Sequence, residues 1–342
     1  MTQTIRLFST CPPSVDVAST PAVPGRSYHQ HVAQIARWSE SAGCEGMLIY
    51  ADNRLVDPWL VAQSVILATE RLCPLVAVQP AYMHPYAVAK MVATLGYLHG
   101  RKIYLNMVAG GFKRDLEALS DMTPHDARYT RLVEYTRIIM DLVRASAGNR
   151  AVSFQGSYYT VEGLKLTPPV SPDILPEVFV SGSSEPGLEA ARALGAVAVH
   201  YPQPARQYGE NAFDPAQARG IRVGIIARPT SEEAWRVAEE RFPPDRRGQV
   251  VHQLAMKTSD SRWHKDLSER PEAEPDSPYW LRPFRSYQTF CPYLVGARER
   301  VAEEIARYIA AGFRTFILDV PPDEAELAEI QAVFALAGRA TG

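Results

Sequence analysis

The chain has 342 residues, enough for one large domain or two ordinary ones, with 46% apolar and 22% charged residues, as globular proteins have. A net charge of −2 provides no general attraction for nucleic acid or an anionic membrane. There is no run of 18 apolar residues and no charged N-terminus leading into an apolar core, so neither a membrane span nor a signal peptide is expected.

Strand-like and helix-like segments alternate along the chain. An apolar strand is expected at 5–9. A helix follows at 29–42, where Val32, Ile35, Ala36 and Trp38 recur at helical spacing before Gly43. Strand 46–50 leads to helix 58–69, with Asp57 as its cap and Pro58 at its first position. Strand 74–79, helix 86–98, strand 102–108 and helix 126–145 continue the alternation. An insertion at 151–176 reads as a hairpin, 152–155 and 158–161 about Gly156-Ser157, followed by a proline-rich stretch. Then come strand 177–181, helix 185–194, strand 197–201, strand 221–227 and helix 231–241. A second insertion, 243–292, is rich in Arg, Pro and aromatic residues. Loops this long usually serve as lids or contacts. Helix 298–311, strand 315–320 and helix 322–337 close the chain.

Most of the strands are continuous apolar runs, the pattern of parallel strands buried on both faces. Eight of them separated by helices predict an α/β fold: a (β/α)8 TIM barrel, with residues 1–342 as one domain and the two insertions as additions to it. A doubly wound sheet is disfavoured, because no Gly-x-Gly-x-x-Gly follows the first strand.

In a barrel the chemistry collects at the C-terminal strand ends. Here that rim reads Ser9-Thr10-Cys11, Tyr50-Ala51-Asp52, Gln79-Pro80-Ala81, Asn106 to Gly111, Ser181-Gly182-Ser183-Ser184 and His200-Tyr201. It lacks paired carboxylates for hydrolysis and a carboxylate–histidine metal set, so it suits a ligand that brings its own chemistry. The cysteines Cys11, Cys44, Cys73 and Cys291 form no Cys-x-x-Cys pair, so no metal site is expected and they read as reduced thiols of a cytoplasmic protein. Ser181-Gly182-Ser183-Ser184 runs from a strand into a helix. Free backbone N–H groups, the helix dipole and two hydroxyls make this turn an anion site, and Ser184 reads equally as a simple helix cap. His84, His200 and Cys11 follow strand ends and are candidates to face the pocket. The histidines could donate protons or anchor a substrate, and the more ordinary reading of each is a structural histidine bonded to a carbonyl.

Six stretches occur together in order: Asp57-Pro58-Trp59-Leu60-Val61-Ala62, Leu75 to Pro80, Leu105 to Gly110, His125-Asp126-Ala127-Arg128-Tyr129, Gly182-Ser183-Ser184 and Gly220-Ile221-Arg222. On these the sequence resembles the luciferase-like flavin-dependent monooxygenases, closest to the alkanesulfonate monooxygenase branch, over roughly residues 5–335. The resemblance implies a two-component enzyme. It would bind reduced FMN supplied by a separate NAD(P)H-dependent flavin reductase, form a flavin C4a-(hydro)peroxide with O2 and oxygenate a small organic metabolite. It also implies a homodimer or homotetramer. Asn106 would bond the flavin ring, His125, Arg128 and Tyr129 would line the ring and ribityl side, and Gly182, Ser183 and Ser184 would hold the phosphate. The second insertion, with Trp263, Trp280, Arg282, Phe284, Arg285 and Tyr287, reads as a lid that keeps water out or as a packing loop between subunits.

The sulfonate branch's substrate residues are mostly replaced. Its cysteine falls on Leu55, its first-strand histidine on Cys11, its rim tryptophan on Tyr201, its strand-seven histidine on Gly224 and its late tyrosine on Pro321. The arginine persists as Arg222, which if buried would want an anion. Arg222 and Tyr201 therefore join His84, His200 and Cys11 as catalytic candidates. Oxygenation at carbon or nitrogen, or of Baeyer–Villiger type, is expected rather than sulfonate cleavage. A deazaflavin (F420)-dependent hydride transfer and a non-catalytic flavin-binding role stay open at this point.

Overall fold

The computed structural model describes residues 4–15, 25–110, 112–209, 212–258, 262–273 and 277–341. Gly111 of the expected rim, residues 259–261 and 274–276 of the second insertion, and the chain ends at 1–3 and 342 lie outside the described residues. The elements in order are β1 (Arg6–Thr10), α1 (Gly25–Ser41), β2 (Gly46–Ile49), α2 (Pro58–Ala68), β3 (Cys73–Val78), α3 (Pro85–His99), β4 (Tyr104–Val108), α4 (Lys113–Ala118) and α5 (His125–Ser146). A hairpin of β5 (Val152–Gln155) and β6 (Thr160–Leu164) follows, then β7 (Val178–Ser181), α6 (Glu185–Leu194), β8 (Val197–His200), β9 (Arg219–Arg228) and α7 (Ser231–Arg241). The rest are α8 (Arg246–Thr258), α9 (Arg262–Ser268), β10 (Tyr279–Trp280), α10 (Arg282–Arg285), β11 (Tyr293–Ala297), α11 (Arg298–Ala311), β12 (Thr315–Leu318) and α12 (Glu324–Thr341).

Among the described residues, β1, β2, β3, β4, β7, β8, β9 and β12 pair in that order, all parallel, and β12 returns to β1. The ring is the expected (β/α)8 TIM barrel. Local signals set the helix ends. The Asp57 carboxylate accepts from the Trp59 N–H (2.9 Å) and the Leu60 N–H (3.2 Å), with Pro58 in the first turn of α2. Helices α6, α7 and α11 begin and end where the sequence pattern places them. The 151–176 insertion forms the hairpin β5–β6. The Glu134 carboxylate of α5 holds its turn, accepting from the Ser157 and Tyr158 N–H groups at 2.8 Å each.

Two strands were not anticipated. β11 pairs in parallel with the C-terminal half of β9, from Tyr293 opposite Gly224 to Ala297 opposite Arg228, and β10 pairs antiparallel with β11. Strand β9 is long for this reason. Its first half closes the ring between β8 and β12, and its second half leaves the ring and carries the extra strands. A five-residue strand abutting a helix gives little periodic signal in the sequence.

Successive strand residues point to opposite faces. Inward residues Phe8, Leu48, Leu75, Tyr104, Phe179, Val197, Val199 and Ile317 fill the barrel, and the outward set packs under the helices. The Phe8 ring meets the Tyr104 and Phe179 rings edge-on, with centroids at 5.3 and 5.4 Å. At the N-terminal end of the strands the Arg6 guanidinium sits 5.4 to 5.7 Å from these three rings and pairs with Glu45 (2.8 Å) and Glu177 (2.7 Å). No helix among the described residues is long and apolar enough to cross a membrane. Phe8→Ala should cost about 3–5 kcal/mol in urea unfolding, because the cavity it leaves has no helix that can collapse into it.

Candidate active site

The alternation that fills the barrel also selects which side chains reach its open end. Tyr50, Gln79, Asn106, Ser181, Tyr201, Arg222 and Asp319 all share the inward face and line a cavity of about 780 Å³ at the C-terminal ends of the strands.

On the β4–β7 side the wall is polar and neutral. The Ser181 hydroxyl donates to Asn106 Oδ1 at 2.8 Å, leaving the Asn106 amide N–H groups for a ligand. Gly182, Ser183 and Ser184 continue this wall into α6. Ser184 Oγ accepts from the Gly187 N–H (3.4 Å) and is hydrogen-bonded to the Tyr129 hydroxyl, so it is both a cap and part of the lining. Burial raises the Tyr129 pKa, and the bond to Ser184 opposes that rise. A Cβ on residue 182 would lie 2.5 Å from the Tyr129 hydroxyl oxygen, so a glycine is needed for that hydroxyl to close over the turn. His125 starts α5 and lines the cavity. Its Nδ1 lies 2.7 Å from Asp126 Oδ1, and its ring is 5.3 Å from that of Tyr129. Arg128 on the same helix is buried but is not part of the lining.

Across the ring the wall is charged and internally paired. Arg222 is 3% exposed, donates to the Tyr50 hydroxyl and lies 3.5 Å from Asp319 Oδ1. Asp319 Oδ2 accepts from the Tyr293 hydroxyl at 2.9 Å and from the Thr289 hydroxyl. Buried Arg222 thus has the anion expected of it, and the protein itself supplies that carboxylate. Gly224, where the sulfonate branch has a histidine, is covered by the Tyr293 ring, and even a Cβ would overlap that ring. A larger side chain there would expel Tyr293 from the Asp319 network.

The second insertion reaches the cavity through Trp263, which stacks on Tyr201 (centroids 3.5 Å apart, planes within 7°), and through Tyr287 and His264. Trp280 and Phe284 are instead fully buried. Trp280 packs on Trp235 and Phe242, with the Arg282 guanidinium 5.3 Å over its ring. Arg285 sits 3.4 Å from the Arg270 carbonyl.

Besides Arg128, the catalytic candidates His200, His84 and Cys11 do not face the cavity. Val199 and Tyr201 point inward, so His200 between them points outward and packs against Phe213 and Phe313. Strand parity permits only one of His200 and Tyr201 at the site. His84 caps α3, its Nδ1 accepting from the Tyr86 N–H at 3.2 Å ahead of Pro85, and its ring packs on Tyr159. Cys11 lies under α1 with its Sγ 3.7 Å from the Tyr28 hydroxyl, and burial pushes its thiol pKa up to about 12. The sequence reading missed Asp319, Tyr293 and Thr289. Parity along the last strand could have found Asp319. Tyr293 and Thr289 arrive on unpredicted segments.

The model of the luciferase-like monooxygenase family matches residues 5–315. One relative, the 4-(gamma-L-glutamylamino)butanoyl-[BtrI acyl-carrier protein] monooxygenase BtrO of Niallia circulans, is 34% identical over 302 residues, 86% of this chain and 87% of that one. Long-chain alkane monooxygenase LadA shares the fold with a TM-score of 0.75 at 17% identity, over 99% of this chain and 92% of that one. EDTA monooxygenase EmoA from Chelativorans sp. BNC1 does so with a TM-score of 0.74 at 18% identity, over 99% and 95%. The chain belongs to the luciferase-like monooxygenase family and is a flavin-dependent monooxygenase.

Burial holds the pKa values of His200, His252 and His264 at about 4. Between pH 4 and 6.5 the unfolded chain therefore binds more protons than the folded one. Stability should be full above pH 6.5 and fall as pH drops through this window. His200→Phe should remove roughly a third of that slope if the three groups contribute equally, as measured by urea midpoints at pH 5 and 7.

Proposed function

We propose that this chain takes reduced FMN from a separate NAD(P)H-dependent reductase and, with O2, oxygenates an organic acyl group carried as a thioester on a carrier protein, and does not cleave sulfonates. The observation that carries the flavin reading is the Gly182–Ser183–Ser184 cradle closed by the Tyr129 hydroxyl at the N-terminus of α6. Its donors and helix dipole fit a phosphate without any lysine. The carrier-bound substrate follows the relative that is 34% identical, whose name specifies one. The self-paired Arg222–Asp319 wall supports a substrate end that is neutral and hydrogen-bonding rather than a sulfonate.

Gly182, Ser183, Ser184 and Tyr129 would hold the flavin phosphate, His125 would flank it, and the Asn106 amide would donate to the ring edge. When bound, the reduced flavin supplies the electrons that activate O2. The Tyr201–Trp263 stack and Tyr287 exclude water from the cavity. The Tyr50 oxygen accepts from Arg222, so its own proton is free to be donated to a reacting oxygen. Exposed Leu60, Leu67, Tyr97 and Leu98 on α2 and α3 support self-association through these helices.

Ser184→Ala and Gly182→Ala should each weaken reduced-FMN binding about 10-fold, or about 1.4 kcal/mol, by anaerobic fluorescence titration. Unchanged affinity in both variants would remove the phosphate assignment. Tyr50→Phe should keep flavin affinity but lower substrate-coupled O2 consumption about 10²-fold. Reduction of a deazaflavin without O2 uptake would instead identify a hydride-transfer enzyme.

A further inference from the structure

We propose that α8, with Arg262 at the start of α9, is the docking face for an acidic carrier protein that feeds its acyl arm into the cavity. The inference rests on the carrier-bound substrate reading above and assigns its recognition surface.

Helix α8 is attached by one face. Gly248 and His252, one turn apart, are buried, and the His252 ring lies 5.0 Å from Phe284. Val250 and Leu254, also one turn apart, lie on the opposite side and are 54% and 58% exposed. Arg246, one turn before Val250, extends this stripe and is itself exposed. Arg247 and Arg262 are exposed beside it, and both line the cavity mouth together with Val251.

The charge pattern selects the occupant. Other arginines at the same mouth are paired, Arg54 with Asp52 and Arg241 with Glu326. Arg246, Arg247 and Arg262 have no carboxylate within ion-pair distance among the described residues, although Asp266 is exposed one turn after Arg262. Two exposed aliphatic residues alone would need no partner. Flanked by three guanidiniums with no ion pair among the described residues, at the entrance of a deep cavity, they match a partner with three properties: an acidic helix face, a small apolar patch and a long arm that enters from outside. A carrier protein has all three, and the phosphodiester at the root of its arm would pass Arg247 and Arg262 on the way in.

The test uses the full chain and the 4-(γ-L-glutamylamino)butanoyl thioester of an acidic holo-carrier protein, with the matching pantetheine thioester as the carrier-free probe. Arg246→Glu and Leu254→Ser lie outside the cavity lining. Each should weaken carrier binding at least 10-fold by fluorescence anisotropy. Wild-type binding should weaken as salt rises, and both variants should keep reduced-FMN affinity and wild-type turnover of the pantetheine thioester. Carrier affinity unchanged in both variants would overturn the docking face while leaving the thioester reading intact. Intact carrier binding with loss of self-association in sedimentation would assign the stripe to a second copy of this chain and also overturn it. So would binding to anionic vesicles in place of the carrier. If the carrier binds with the Arg246 dependence but neither thioester is oxidised, the docking face stands and the choice of acyl group fails.

Discussion

The open end of this barrel works as a site because the other end is sealed. Phe8, Tyr104 and Phe179 pack edge-on across the interior, and Arg6 lies against their rings, held by Glu45 and Glu177. The carboxylates hold the charge of Arg6 at the rim, and the rings fill the interior behind it. The cavity lies at the C-terminal strand ends, where inward residues of the ring strands meet side chains from α5 and the second insertion.

From there the pleat of each strand decides the chemistry. On one side of the ring it presents Asn106 and Ser181, a neutral hydrogen-bonding wall. On the other it presents Tyr50, Arg222 and Asp319, where charge is balanced within the protein. The first wall suits a cofactor that carries its own reactivity. On the second, Asp319 balances the charge of buried Arg222, and the Tyr293 and Thr289 hydroxyls donate to Asp319.

The second insertion shapes the charged side of the cavity. Its return strand β11 brings the Tyr293 ring over Gly224 and its hydroxyl onto Asp319. One side chain thus fills the space above Gly224 and places a donor on Asp319. The same insertion sets Trp263 on Tyr201 and carries α8 at the mouth. It couples the shape of the substrate end to whatever approaches from outside.

By itself the sequence determined the barrel, because buried parallel strands are apolar runs and the helices between them carry their own caps, such as Asp57-Pro58 and Ser184. It also placed the Gly182-Ser183-Ser184 turn with Ser184 as a helix cap, a local strand–helix feature, whereas the Tyr129 hydroxyl that closes over it comes from α5. The facing of His200, His84 and Cys11 was decided by tertiary structure. A histidine at a strand end reads the same whether the pleat turns it inward to a cavity or outward onto Phe213 and Phe313. The Arg222–Asp319–Tyr293 network was likewise beyond the sequence, because its members are brought together by ring closure and by a strand from the far end of a long insertion. Contacts between residues so distant along the chain leave no periodic trace in it.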